Sequence, residues 1–107
     1  MVNPARFEVW LIALDPTLSS EIKKTRPCVV VAPDEMQGLR TTIVAPLTKT
    51  VRSYPTRVPV RFQRQKGEVA LDQIRAVDKN RLLRRLGKIP RSAGDRILGV
   101  LGEMFQP

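Results

Sequence analysis

Apolar positions in this chain fall into short runs separated by turn residues. Phe7–Leu14 (F-E-V-W-L-I-A-L) mixes alternation with a continuous apolar run and predicts a strand buried on much of its surface. Trp10 within it reads as a core or interface anchor. Cys28–Ala32 (C-V-V-V-A) is β-branched and free of charge, the pattern of a fully buried central strand. Pro33–Arg40, with Asp34, Gln37 and Gly38, predicts a hairpin loop, and Thr41–Ala45 the return strand. Pro46 cannot donate to a ladder, so the chain is expected to leave the sheet there. Val51–Thr56 is a basic loop. In Arg57–Phe62 the residues Val58, Val60 and Phe62 alternate with Arg57, Pro59 and Arg61, and Pro59 marks an edge strand. Gln63–Gly67 reads as a turn and Glu68–Asp72 as a strand, with Gln73–Asp78 continuing its line after a kink.

Lys79–Ile89 fits either helical or strand spacing; Gly87 tips it towards one turn at Asp78–Arg81 and a strand at Leu83–Ile89. Pro90-Arg91-Ser92 signals a helix start, and Ile97, Leu98, Leu101, Met104 and Phe105 share one helical face. Gly94, Gly99 and Gly102 weaken that helix by about 1 kcal/mol each relative to Ala, so it needs a sheet to pack on. The sum is mainly β with a C-terminal helix: a small, strongly curved antiparallel sheet or half-open barrel. At 107 residues, without a linker or repeat, residues 1–107 read as one domain.

Composition narrows the function. The 19 Lys and Arg outnumber the 10 Asp and Glu, and the net charge of +9 favours a polyanionic partner: nucleic acid, an acidic protein or, less readily, a membrane surface. No apolar run is long enough to span a bilayer, and the N-terminus lacks a signal-peptide core. The single cysteine cannot form an internal disulfide, and a cytoplasmic location is expected. With no histidine and one cysteine, the chain offers no imidazole base and no zinc site. No phosphate-binding glycine motif is present. Any chemistry must run on Arg, Lys, Ser, Thr, Tyr and carboxylates, with no cofactor and no protein-held metal.

The candidate chemistry starts in Asp15–Pro27 (D-P-T-L-S-S-E-I-K-K-T-R-P), a polar stretch with neither strand nor helix periodicity, set between two apolar runs. It carries Ser19, Ser20, Glu21, Lys23, Lys24 and Arg26. Pro27 holds the backbone of Arg26 extended. Counting outward from the loop between Cys28–Ala32 and Thr41–Ala45 makes Arg26 and Thr48 near cross-strand partners. A guanidinium fork and a hydroxyl would then flank one pocket, a plausible grip on a phosphate. RNA carries its own nucleophile in the 2′-hydroxyl, so an enzyme needs mainly to align it and neutralise the phosphorane. Arg26 suits that charge and Thr48 a hydrogen bond to a non-bridging oxygen. Glu21 is a candidate base on general grounds. Asp72-Gln73-Ile74-Arg75 adds a third polar cluster, in which Gln73 and Arg75 flank an apolar residue. Taken singly, each signal has a plainer reading: a surface arginine, a turn threonine, a polar strand face. Cys28 reads as a small core residue rather than a nucleophile.

Five collinear blocks carry a resemblance: Glu8-Val9-Trp10 with Leu14-Asp15-Pro16-Thr17; Ser20-Glu21 with Thr25-Arg26-Pro27 and Val29-Val30-Val31; Ala45-Pro46-Leu47-Thr48; Tyr54-Pro55-Thr56 leading to Val58; and Leu71-Asp72-Gln73-Ile74-Arg75-Ala76-Val77-Asp78-Lys79 with Arg81-Leu82. In these the chain resembles the MazF/PemK family of toxin endoribonucleases. The resemblance implies an SH3-like small barrel and a homodimer. It also implies metal-independent, sequence-specific cleavage of single-stranded RNA to a 2′,3′-cyclic phosphate. Arg26 and Thr48 would be the catalytic pair, and Ser20, Glu21 and Gln73 would line the RNA path with the cations Lys24 and Arg75. The partner would be an acidic antitoxin. The chain departs from the family at Ser19 and Phe7, where glycine is usual. Two other classes share these features in part: a gyrase-poisoning toxin of the same fold, which would not need the Arg/Thr pair, and a silent nucleic-acid-binding barrel, which would need exposed aromatics.

Overall fold

The computed structural model describes residues 2–15 and 24–107. Within them seven antiparallel strands form one curved sheet: β1 (Glu8–Asp15), β2 (Lys24–Val30), β3 (Thr41–Thr48), β4 (Arg57–Phe62), β5 (Gln65–Ala70), β6 (Arg75–Asp78) and β7 (Leu82–Lys88). The helix α1 (Arg91–Met104) follows, and it packs on β4. The strand path is β4-β5-β3-β2-β1-β7, with β6 beside β3. The sheet is not closed by a ladder. Its edges meet through side chains, where the Phe62 ring lies over Gly87 and the Gln63 amide donates to the Leu86 carbonyl (3.4 Å). A mainly β, curved antiparallel sheet with a C-terminal helix is the architecture expected. Among the described residues no helix is long and apolar enough to cross a membrane.

Alternation along the strands builds two cores. Val9, Val29, Val31, Ala45, Val58, Val60, Val69 and Leu71 face α1, where Ala93 and Ile97 close over them. Trp10, Ile12, Cys28, Val30, Val44, Val77 and Leu82 fill the other face. The segment Cys28–Ala32 is therefore buried on both sides, which accounts for its unbroken apolar composition. Phe105 departs from the predicted helical face: it caps the helix and is 73% exposed. Gly94 has a packing reason. A Cβ there would lie 2.5 Å from the Phe7 ring, and Phe7 itself holds φ 73, the left-handed region that favours glycine. Lys79 is buried, and its ammonium donates to the Gln37 carbonyl (2.7 Å), the Met36 carbonyl (3.3 Å) and the Asn3 side chain (3.4 Å). It thereby ties the 33–40 turn to the N-terminal segment.

Three expectations need correction. Pro46 does not leave the sheet; it pairs with Cys28 inside β3. Val31 donates to the Ile43 carbonyl (2.9 Å), while the Val30 carbonyl accepts from Phe7 (2.7 Å). Odd-numbered residues of β2 thus face β3, and in β3 the even-numbered ones face away from β2. Pro46 therefore points its missing N–H at the gap between Val44, where β6 pairing ends, and Leu47, where β5 pairing begins. No ladder bond is lost there. Second, β2 begins at Lys24, so the polar stretch loses its last residues to the sheet. Third, β5 begins at Gln65, because the β4–β5 turn is only Gln63-Arg64. Both residues have positive φ (50 and 65), as a two-residue type I′ hairpin requires.

Candidate active site

Pro27 is odd-numbered and faces β3 across from Leu47, with no N–H to offer. The β2–β3 pairing ends one residue earlier, at Cys28 opposite Pro46. Beyond that point an open cleft of about 450 Å³ begins. Carrying the register two residues on puts Arg26 opposite Thr48, as the sequence spacing predicts. Both residues turn their backbone groups to their other neighbours. The ladder has already ended there, so the two residues flank the opening rather than forming a bonded pair. Both line the cleft, with Pro27, Leu47, Phe62 and Leu86 as its apolar wall.

The remaining walls come from parts of the chain that the sequence reading passed over. Lys49, Gln63, Gln65 and Lys66 reach the cleft from the ends of β3 and from the β4–β5 hairpin. For Gln63, Gln65 and Lys66 the signal was the run R-F-Q-R-Q-K at 61–66. Only the curl of the sheet brings that run to Arg26. Among the described residues the lining holds the cations Arg26, Lys49 and Lys66 and no carboxylate. Gly67 stands where β5 crosses β3: a Cβ there would sit 2.5 Å from the Thr48 carbonyl oxygen, a backbone atom that cannot swing aside. The Thr48 hydroxyl oxygen accepts from the Thr50 N–H (3.1 Å), which leaves its own hydrogen free to donate into the cleft.

Past β5 the surface dips again, into a more open hollow of about 590 Å³ that shares Lys66 and Gly67 with the cleft. Tyr54, Arg57 and Arg61 stand around it. The Arg57 guanidinium lies over the Tyr54 ring (5.2 Å) and forms a two-pronged pair with Asp72 (2.7 and 3.2 Å). That pair holds the Asp72 carboxyl below its ordinary range; burial opposes the effect.

Of the predicted site residues, Arg26 and Thr48 share one cleft. Arg75 sits on β6 across from Val44, and its guanidinium donates to the Leu14 carbonyl (3.4 Å). Arg81 joins it there, donating to the Ala13 (3.3 Å) and Leu14 (3.4 Å) carbonyls. The two arginines brace the end of β1. Gln73 is exposed in the turn between β5 and β6. Lys24 opens β2. Ser20 and Glu21 lie outside the described residues. Burial pushes the Cys28 thiol up to about 12, against the pull of Arg26 and Arg75, so it is protonated and unreactive.

The sequence pattern of PemK-like, MazF-like toxins of type II toxin-antitoxin systems matches residues 5–105. The chain is 32% identical to endoribonuclease PemK of Escherichia coli, over 94% of this chain and 80% of that protein. In fold it is similar to MazF from Deinococcus radiodurans, with a TM-score of 0.79 at 22% identity over 97% of each chain. It is likewise similar to a mycobacterial endoribonuclease solved in complex with its cognate antitoxin, with a TM-score of 0.80 at 22% identity over 97% of each chain. The match across nearly the whole chain, joined to the identity with PemK, means that this protein belongs to the family of PemK-like, MazF-like toxins of type II toxin-antitoxin systems.

Proposed function

We propose that this protein is the toxin of such a module and acts as an endoribonuclease. It cuts single-stranded RNA at a preferred short sequence, without a metal, through the 2′-hydroxyl of the RNA itself. The observation that carries the reading is the cleft just beyond the end of the β2–β3 ladder, which Arg26 and Thr48 line together with Lys49 and Lys66.

In this reaction the 2′-oxygen bonds to phosphorus and the bond from phosphorus to the 5′-oxygen breaks. The products are a 2′,3′-cyclic phosphate and a 5′-hydroxyl. The 2′-hydroxyl loses a proton and the leaving 5′-oxygen gains one. Arg26 neutralises the phosphorane with a planar pair of donors, and Thr48 donates to a non-bridging oxygen. Arginine is a poor base because its pKa exceeds about 12. Glu21 is the carboxylate nearest in sequence to take the proton. Lys49 and Lys66 add positive potential along the backbone track. Ser20, Glu21, Lys24, Gln73 and Arg75 line the RNA path. The protein works in the cytoplasm as a homodimer, and a small acidic antitoxin silences it by covering the basic groove.

The test is cleavage of a mixed-sequence single-stranded RNA in excess EDTA, beside Arg26→Ala and Thr48→Ala. Cutting that survives EDTA, leaves cyclic phosphate ends and disappears with Arg26 supports the reading. A folded, antitoxin-free sample that cuts no RNA overturns it.

A further inference from the structure

We infer that Glu68 is a positioning residue for Thr48, acting through the loop that leaves β3. The inference rests on the role given to Thr48 in the proposed function. Glu68 is directly across from Thr48 in the β3–β5 pair. It is 1% exposed, and it borders the neighbouring hollow rather than the cleft that holds Thr48. One oxygen accepts from the Arg52 N–H (2.8 Å) and the other from the Ser53 N–H (3.0 Å). The Arg57 guanidinium lies 3.8 Å away and balances the charge.

The chain between these points is short. It leaves Thr48, passes Lys49 on the cleft wall, and gives the Thr50 N–H back to the Thr48 hydroxyl. It then reaches Arg52 and Ser53, where the backbone enters the left-handed region at Ser53 (φ 57). A serine there is held by the structure around it, and the Glu68 carboxylate supplies the hold. The loop is thus pinned at both ends to the same two cross-strand residues, Thr48 at the start and Glu68 at the finish. If the far pin goes, the Thr50 amide is no longer kept on the Thr48 hydroxyl, and the direction of that hydroxyl is no longer set. Glu68 touches no RNA in this scheme. Its loss therefore lowers turnover and leaves RNA binding in place.

Glu68→Gln keeps the volume and one acceptor oxygen but turns an NH2 towards one of the two amides. Steady-state cleavage over a range of RNA concentrations is compared in the native protein, Thr48→Ala, Glu68→Gln and the double variant. Glu68→Gln is expected to lower kcat about tenfold with KM unchanged, since small displacements at a reacting centre cost of that order or more. In the Thr48→Ala background the same change is expected to cost less than about twofold, because residues acting as a unit are not additive. Equal losses in both backgrounds, or no loss in the native one, overturn the inference. Full activity in Thr48→Ala would instead remove the role given to Thr48, and the inference with it. Amide exchange gives a second readout that needs no residual activity. In Glu68→Gln the Thr50, Arg52 and Ser53 amides should exchange faster while those of β1 and β2 keep their protection. An unchanged Thr50 amide overturns the coupling.

Discussion

Gly67→Ala tests how tightly the backbone sets the site. The added Cβ would lie 2.5 Å from the Thr48 carbonyl oxygen and 3.4 Å from its carbon. Ordinary carbon–oxygen contacts begin at about 3.3 Å. The two strands must therefore separate by roughly 0.8 Å where Thr48 pairs with Glu68, since neither partner in the clash is a mobile side-chain end. A displacement near 1 Å at a reacting group costs about a hundredfold in rate, or about 2.7 kcal/mol at 1.36 kcal/mol per tenfold. Overpacking a well-fitted interior costs about 1–3 kcal/mol of stability. At about 2 kcal/mol, and 4–8 °C per kcal/mol in a chain of this size, the melting temperature should fall by roughly 8–16 °C. The assay is cleavage of a saturating fluorogenic RNA at 25 °C, with the folded fraction checked by circular dichroism. A variant with native kcat and native melting temperature would show that the β3–β5 approach is slack, and the argument that Gly67 places Thr48 would fail.

Three further outcomes follow from the same structure. Phe7→Gly and Gly94→Ala should each destabilise the fold in urea, the first by losing the ring and the second by striking it, while the double variant should cost less than their sum; strict additivity would break the link between them. Lys66→Ala should weaken RNA binding at low salt and flatten the plot of log affinity against log salt by about 0.7, the share of one phosphate contact on a single strand, and an unchanged slope would take Lys66 off the RNA track. Arg57 holds the Asp72 carboxyl below its ordinary range, so the ion pair stabilises the fold above the unfolded value near about 3.9 and that contribution is lost as pH falls through the lowered one. Acid unfolding of Asp72→Asn should accordingly depend less on pH than that of the native protein between about pH 5 and 2.

The sequence pattern reached the fold where local rules decide it. The charge-free run at Cys28–Ala32 could only be a strand with both faces covered, and the alternation of Val58, Val60 and Phe62 marked β4, with Pro59 exposed at the sheet edge. That Arg26 and Thr48 come to one cleft was legible for a related reason: hairpin register is arithmetic once two strands and their loop are known. What escaped depended on long-range geometry. Gln63 and Arg64 adopt left-handed φ without the Asn-Gly chemistry that usually signals it, so a tight hairpin read as a longer turn. Gln65 and Lys66 were lost with it, because their place in the cleft follows from the curl that carries the β4–β5 hairpin back to β7.

The prolines of β2 and β3 differ in what they do to the ladder. Pro46 and Pro27 both lack a donor, and residue type alone treats both as breaks in the sheet. Their facing directions separate them. Pro46 turns its nitrogen to the point where β3 exchanges β6 for β5, and the sheet loses nothing there. Pro27 turns its nitrogen to Leu47, where β3 waits for a donor, and the ladder stops one residue short. The cleft opens at that fault, with Arg26 and Thr48 on its two lips. Pro27→Ala restores an N–H facing the Leu47 carbonyl. If the missing donor is what parts the strands, the variant should extend the β2–β3 ladder, protect the restored amide from exchange, and lose cleavage as the cleft narrows. A restored amide that exchanges freely, in a variant that cuts RNA at the native rate, would mean that the strands part for some other reason.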